Sequence, residues 1–346
     1  MAASTGESAV KSAFDPALRR FLGWAVILIT SGYTFLDYWN YSLASREGVR
    51  VEWQNLLAGR SFAPVQYRIG VLRTANLLAG LTHTHLRHMF AAIDFVCVGI
   101  SLALLLWLLG RAGSFRTADR VSQWLQAILL LGPSVLYLMW SFWFQKPETQ
   151  TTLLLLVLSA TAAQWTRRVP ASIALIALAA IGATVRADTV VAFHVGFLIA
   201  CLLPQGRCLP LGRAVQAAVS LIAIAAAVGI EWYIAHRIYP NAPRQVAAFQ
   251  LVNNLKGWMN YIAVAAALFP WWITLRLTLR RWRTLDGWSV ALCFGSVAHF
   301  VLFYTFGIAW EVRIFLPFAM TLTPVTATLI YAAIRNENRG VLQPIH

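Results

Sequence analysis

The chain has 346 residues, 59% of them apolar and only 12% charged, yet its formal net charge is +15. A soluble domain carries about 25% charged residues to wet its surface; half that share, with a mean hydropathy of +0.64, excludes a water-soluble globule, and the same apolar content excludes disorder. A basic balance points to nucleic acid in a soluble protein, but in a membrane protein it reports loops rich in Lys and Arg, so no nucleic-acid partner is expected.

Residues 1–20 are polar, with Lys11, Arg19 and Arg20 just ahead of the first apolar run. No small-residue cleavage site follows that run, so 1–20 is read as a cytoplasmic tail and the run as a retained first span. Crossing a bilayer takes about 17–25 apolar residues. The predicted spans lie near 21–40, 89–109, 124–144, 148–165, 214–235, 258–276, 288–309 and 314–334, with 335–346 as a second cytoplasmic tail. Segment 170–204 is apolar except for Arg186 and Asp188 near its centre. As one helix it would run about 52 Å, too long for an upright crossing of a hydrocarbon core of about 30 Å. Two short crossings meeting at Arg186-Ala187-Asp188 bring the total to ten. The expected fold class is therefore all-α, a polytopic transmembrane helix bundle forming a single domain over 21–334.

Cytoplasmic placement of the N-terminus puts five further groups on the same side: Arg111, Arg116 and Arg120; Arg167 and Arg168; Arg207 and Arg213; Arg276, Arg280, Arg281 and Arg283; and Arg335 with Arg339. With the N-terminal three they make sixteen of the 28 basic residues, in short loops where the positive-inside rule is strongest. A single crossing by 170–204 would turn Arg280-Arg281 outward, so ten spans with both termini cytoplasmic are expected.

The first outer loop, 42–88, is too polar to span. Its apolar residues recur at spacings of three and four (Val51, Trp53, Leu56, Leu57; then Ile69, Val71, Leu72, Leu77, Leu78), the pattern of amphipathic helices lying flat on a membrane, with Pro64 separating two of them. The loop ends in His83-Thr84-His85-Leu86-Arg87-His88. Only His85 and His88 share a helical face and no carboxylate is adjacent, so this cluster is read as facing headgroups or phosphate, with no metal. The cysteines Cys97, Cys201, Cys208 and Cys293 lack metal-ligand spacing, and neither structural disulfides nor zinc is expected.

In this orientation Asp37, Glu47, Glu52, Glu148, Asp188 and Glu311 fall at the outer face, and Asp94 and Glu231 in the outer halves of their helices. Several stand beside a cation: Arg186 with Asp188, Glu311 with Arg313, Lys146 with Glu148. Glu47, Glu52 and Glu148 are read as loop charges in water. Charge at membrane depth costs about 2.5–3.5 kcal/mol at a helix centre, so Asp37, Asp188 and Glu311, each breaking an apolar run, point to a polar cleft open to the outer face. The aromatics, among them Tyr38, Trp39, Tyr41 and Trp232, are read as an interfacial belt.

Asp37 in Phe-Leu-Asp-Tyr-Trp-Asn-Tyr at the outer end of the first helix, the loop of two membrane-parallel helices and the many-helix bundle together resemble the GT-C superfamily of polytopic glycosyltransferases. Pro64-Val-Gln-Tyr-Arg68 and Glu311-Val-Arg313-Ile-Phe-Leu-Pro317 are similar to segments of bacterial GT-C-like membrane proteins, and the Arg186-Ala-Asp188 break is similar to the short helices and polar turn of that superfamily. The resemblance is architectural over the chain and its motifs cover about twenty residues. It implies transfer of a sugar from a polyprenyl-phosphate-linked donor to an acceptor at the outer face of a bacterial inner membrane, as part of cell-envelope chemistry, with Asp37 as base. One departure is that a single Asp, not a paired-acid motif, follows the first helix; another is that no large soluble outer domain is expected after the last.

That chemistry needs a base for an acceptor hydroxyl and cations for the leaving phosphate. Arg68, Arg186 and Arg313 suit the second role, because guanidinium meets phosphate oxygens bidentately. Asp188 and Glu311 would orient arginines or bind sugar hydroxyls, and His85 and His88 would face phosphate or sugar. No cofactor is called for, although a divalent metal is left open; the partners expected are the lipid-linked donor, an acceptor of unknown identity and membrane lipids. Two alternatives remain open, a transporter or lipid flippase, and a non-catalytic membrane protein of envelope assembly.

Overall fold

The computed structural model describes residues 15–44, 49–61, 63, 65–116, 118–141, 148–243, 249–282, 285–307 and 314–341. Among the described residues the chain is helical and has no strand. The helices are α1 (Pro16–Ala44), α2 (Val49–Leu57), α3 (Ile69–Thr82), α4 (Leu86–Arg111), α5 (Gly113–Arg116), α6 (Arg120–Ser141), α7 (Glu148–Ala162), α8 (Arg168–Leu202), α9 (Arg213–Tyr233), α10 (Leu251–Lys256), α11 (Trp258–Ala267), α12 (Phe269–Arg281), α13 (Gly287–Phe306), α14 (Leu316–Thr321) and α15 (Thr323–Val341). Six of these, α1, α4, α6, α8, α9 and α13, are long and apolar enough to cross a membrane. The protein is an all-α helical membrane protein with several crossings.

The other predicted spans are built from shorter pieces. Helix α7 has 15 residues, about 22 Å at the helical rise of about 1.5 Å per residue, which is short of a full crossing. Span 258–276 is divided at Leu268 into α11 and α12, with a proline in the first turn of α12. Span 314–334 is divided at Leu322 into α14 and α15, with Pro324 opening α15. Proline has no N–H to give and clashes with the carbonyl four residues back, so each begins a helix instead of continuing one.

Segment α8 is two legs. Arg186 leaves the helical region (φ −156°, ψ 89°), and beyond it the chain turns back. A Cβ on Gly182 would lie 2.6 Å from Val190 Cγ2, eight residues on, which a continuous helix would hold about 12 Å away. The two ends of α8 are also near each other. Cys201 Sγ donates to the Arg213 carbonyl at 3.5 Å, while the Arg168 guanidinium comes within 4.0 Å of a Cβ placed on the adjacent Gly212. A one-way helix of 35 residues would separate those ends by about 52 Å. The second leg packs on α13 backbone to backbone: a Cβ on Gly196 would sit 2.2 Å from the Ala291 carbonyl oxygen. Such approach needs small residues, as is usual between helices in lipid.

The main core lies among α4, α6, α7, α8 and α13, where Leu102, Leu105, Leu130, Leu153 and Phe197 are fully buried. The outward faces of α1, α8 and α9 stay apolar, with Trp24, Leu28, Ile173 and Leu221 exposed.

Loop contacts segregate to two ends of the bundle. At one, Asp15 pairs with Arg120 at 3.1 Å, Asp119 caps α6 by accepting from the Ser122 N–H at 2.7 Å, and Gln205 donates to the Trp282 carbonyl at 3.1 Å. The Ser122 contacts hold the exposed Asp119 carboxyl below the ordinary carboxylate value. At the other, the Ala63 N–H donates to the Pro243 carbonyl at 2.8 Å and Arg73 donates to the Tyr239 hydroxyl. The first loop holds two helices, α2 and α3, as expected for 42–88.

The fold-back of α8 is open to a direct test. In a chain carrying C97A, C201A and C293A, the exposed Cys208 and a T166C variant are expected to react with a membrane-impermeant maleimide from the same side of sealed vesicles. Reaction from opposite sides would mean that α8 crosses once.

Candidate functional site

The site begins with spacing on α1. Tyr33, Asp37 and Tyr41 recur every four residues and so share one helical face. That face turns inward: Asp37 is 3% exposed and Tyr41 fully buried. Opposite stands Asp94 of α4, also fully buried. Tyr41 donates its hydroxyl to Asp94 Oδ2 at 2.8 Å, and the two carboxyls lie beside each other. Gln150 of α7 donates to the Tyr33 hydroxyl at 2.6 Å, and Asn40 and Tyr33 also reach Asp37.

The next charge comes from the first loop. Gln66, fully buried, accepts from the Ser61 N–H at 2.8 Å and donates to the Leu56 carbonyl at 2.9 Å, which ties the end of α2 to the turn before Arg68. Gly70, two residues later, lies on the first leg of α8, where a Cβ would be 2.4 Å from Thr184 Oγ1. Only a residue without a side chain lets α3 seat there. Arg68 is thereby held beside α7 and α8, and its guanidinium lies 3.5 Å from Glu148 Oε1 at the start of α7.

The third group is the break in α8. Arg186 is 5% exposed; its Nε donates to Asp188 Oδ1 at 3.2 Å and its Nη2 to Oδ2, a two-pronged pair. The Arg186 carbonyl, freed by the break, accepts from Thr189 Oγ1 at 2.8 Å. His299 of α13, fully buried, brings Nε2 to 3.9 Å from Asp188 Oδ2 and is boxed by Phe315 and Phe318. The charge of Arg68 acts on Asp188 and on Glu231 of α9, and that of Glu148 on Asp94. Glu148, Arg68, Asp188 and Arg186 thus alternate in sign, and Asp94 and Asp37 extend the run beyond Glu148 as further acids. Arg68 and Arg186 each meet an acid of opposite sign, as charge at membrane depth requires.

Four of the sequence-derived candidates therefore belong to one network: Asp37, Arg68, Arg186 and Asp188. Glu311, Arg313, Pro64 and Lys146 lie outside the described residues. His85 and His88 lie elsewhere. Their rings are 5.8 Å apart, His88 stacks on Tyr38 at 5.5 Å, and His85 lines a cavity of about 610 Å³ with Trp53, Asn76 and Arg87. Among the described residues no three His, Cys, Asp or Glu side chains gather as a metal site, and the four cysteines are unbridged. One expectation is corrected: Glu148 is not a loop charge in water but is 14% exposed and paired with Arg68. From sequence, Asp94 and Glu231 are expected in outer half-helices without a link to a site and Tyr41 in an aromatic belt, and no motif singles out Tyr33, Gln150 or His299.

Beneath Arg186, between α7 and the two legs of α8, runs a narrow and mostly apolar cavity of about 20 Å³, lined by Leu155, Leu156, Val190 and Phe193. No family model matches the chain, and no curated protein or solved structure matches it either.

If the Arg68–Glu148 pair holds the loop to the bundle, the costs of the two single substitutions should add up to more than the cost of the double variant. A double-mutant cycle with R68A and E148A, read by thermal unfolding in detergent, is expected to show a coupling of about 1–3 kcal/mol. Additive effects would make the contact incidental.

Proposed function

We propose that the protein is a GT-C-type membrane glycosyltransferase that moves a sugar from a polyprenyl-phosphate-linked donor to an acceptor at the outer face of a bacterial inner membrane. In this reading the chain crosses ten times with both termini cytoplasmic: the six long helices, the second leg of α8, α7 with its flanking residues, the α11–α12 pair and the α14–α15 pair. The observation that carries the reading is the charge network, which ties a buried carboxyl at the end of the first helix to two arginines, one from the first loop and one from a broken helix.

The chemistry assigned to these residues balances simply. Asp37 takes the proton from the acceptor hydroxyl. The acceptor oxygen forms a bond to the anomeric carbon as the bond from that carbon to the phosphate oxygen breaks, and the polyprenyl phosphate leaves with the electron pair. Arg68 and Arg186 stabilise that phosphate; Glu148 and Asp188 keep their guanidiniums in place before substrate arrives, so little reorganisation is needed during reaction. Glu311 and Arg313 are assigned to the same face from the sequence, and His85 and His88 to headgroup or phosphate contact at the loop cavity. Transport or lipid flipping is the second reading, favoured by the polar break within α8, since transporters bind substrate on broken helices; it requires substrate accumulation in vesicles.

Replacing Asp37 by Asn removes the base and leaves its shape. Transfer from a polyprenyl-phosphate-linked hexose, resolved by mass, is expected to fall by about 10²–10⁴-fold in D37N, with expression and thermal stability unchanged. Undiminished transfer would sink the assignment.

A further inference from the structure

Asp94 has no role in the chemistry above, yet it is the most deeply placed acid of the network. It is fully buried, and Asp37 is 3% exposed. The two carboxyls touch, but Asp37 Oδ1 and Asp94 Oδ1 are both buried without a hydrogen-bond partner. In water such orphans would be solvated; here each bears the desolvation cost of an unpaired acceptor, larger still for a charged group. A proton held between the carboxyls removes one of the two charges, and two buried carboxylates in contact cannot both stay ionised.

We propose that Asp94 is the positioning residue of Asp37: it holds the shared proton and donates it to the Asp37 carboxylate, fixing that group's orientation and single negative charge. The inference rests on the reading of Asp37 as base. The donors around the pair are unequal. Asp37 is reached by Asn40 and Tyr33 as well as by Asp94, whereas Asp94 receives the single Tyr41 hydroxyl proton at 2.8 Å and has the Glu148 carboxylate nearby; the carboxyl with more donors is the one suited to hold the charge. The titratable groups facing the pair are Tyr33 and Tyr41 from α1, Cys97 from α4 and Glu148 from α7, the last paired with Arg68. During turnover Asp37 accepts the acceptor's proton while Asp94 keeps its own; the pair then holds two protons and returns one to solvent after product leaves.

Asparagine can still donate to Asp37 where leucine cannot, so D94N and D94L separate positioning from packing. In full-length protein in nanodiscs at neutral pH, infrared spectroscopy should show a buried protonated carboxyl that is lost in D94N. With a polyprenyl-phosphate-linked hexose as probe, D94N should keep kcat within about threefold, whereas D94L, if folded, should lose about 10²-fold or more, the scale of a misplaced base. A protonated-carboxyl band that persists in D94N, or a kcat in D94N as low as in D37N, overturns the proposal. A wild-type protein with no transfer activity would end the glycosyl-transfer reading, and the infrared result would then decide the carboxyl pair by itself.

Discussion

Two charged residues in the middle of a 35-residue apolar segment pose the constraint from which the site follows. Neither Arg186 nor Asp188 can face lipid alone, and a helix carrying both straight through the hydrocarbon would expose one or the other. The chain solves this by breaking at Arg186 and turning back, so that the two side chains meet each other. The break leaves polar atoms to satisfy, and Thr189 takes one of them. Around it gather Arg68 from the first loop, Glu231 from α9 and His299 from α13.

The first loop is part of this arrangement and not a cover laid over it. Gln66 fastens the turn after α2, and Gly70 lets α3 sit on Thr184 just before the break. Between them stands Arg68, which reaches Glu148 on α7. Glu148 in turn bears on Asp94, and so the carboxyl pair at the end of α1 is linked electrostatically to the broken helix through residues far apart in sequence. The contacts that build the network come from seven different parts of the chain, which is why removing one charge is expected to disturb several.

Much of the framework was legible in the sequence. The long apolar runs marked α1, α4, α6, α9 and α13, and the length of 170–204 with its two central charges marked the break at Arg186. The loop periodicity marked α2 and α3. What stayed hidden was of two kinds. Helix ends inside apolar runs, at Leu268 and Leu322, turn on prolines whose effect a hydropathy profile averages away. The pairings Asp37–Asp94 and Arg68–Glu148 join residues dozens of positions apart, and periodicity reports which face of a helix is buried but not against what. Asp94 was visible as an acid in an apolar run; a fixed four-residue spacing of Tyr33, Asp37 and Tyr41 was the further signal that a polar face on α1 required a polar partner.

The central claim is that the charge network is a binding site for a lipid-linked phosphate. The most direct measurement is photocross-linking of the protein in nanodiscs with a photoreactive short-chain polyprenyl phosphate, followed by peptide mapping. The account predicts labelling in the segments around Arg68, Glu148 and Arg186 that is competed by unlabelled polyprenyl phosphate and lost in R186M. Labelling confined to the outward faces of α1 and α9, uncompeted and unchanged in R186M, would contradict it.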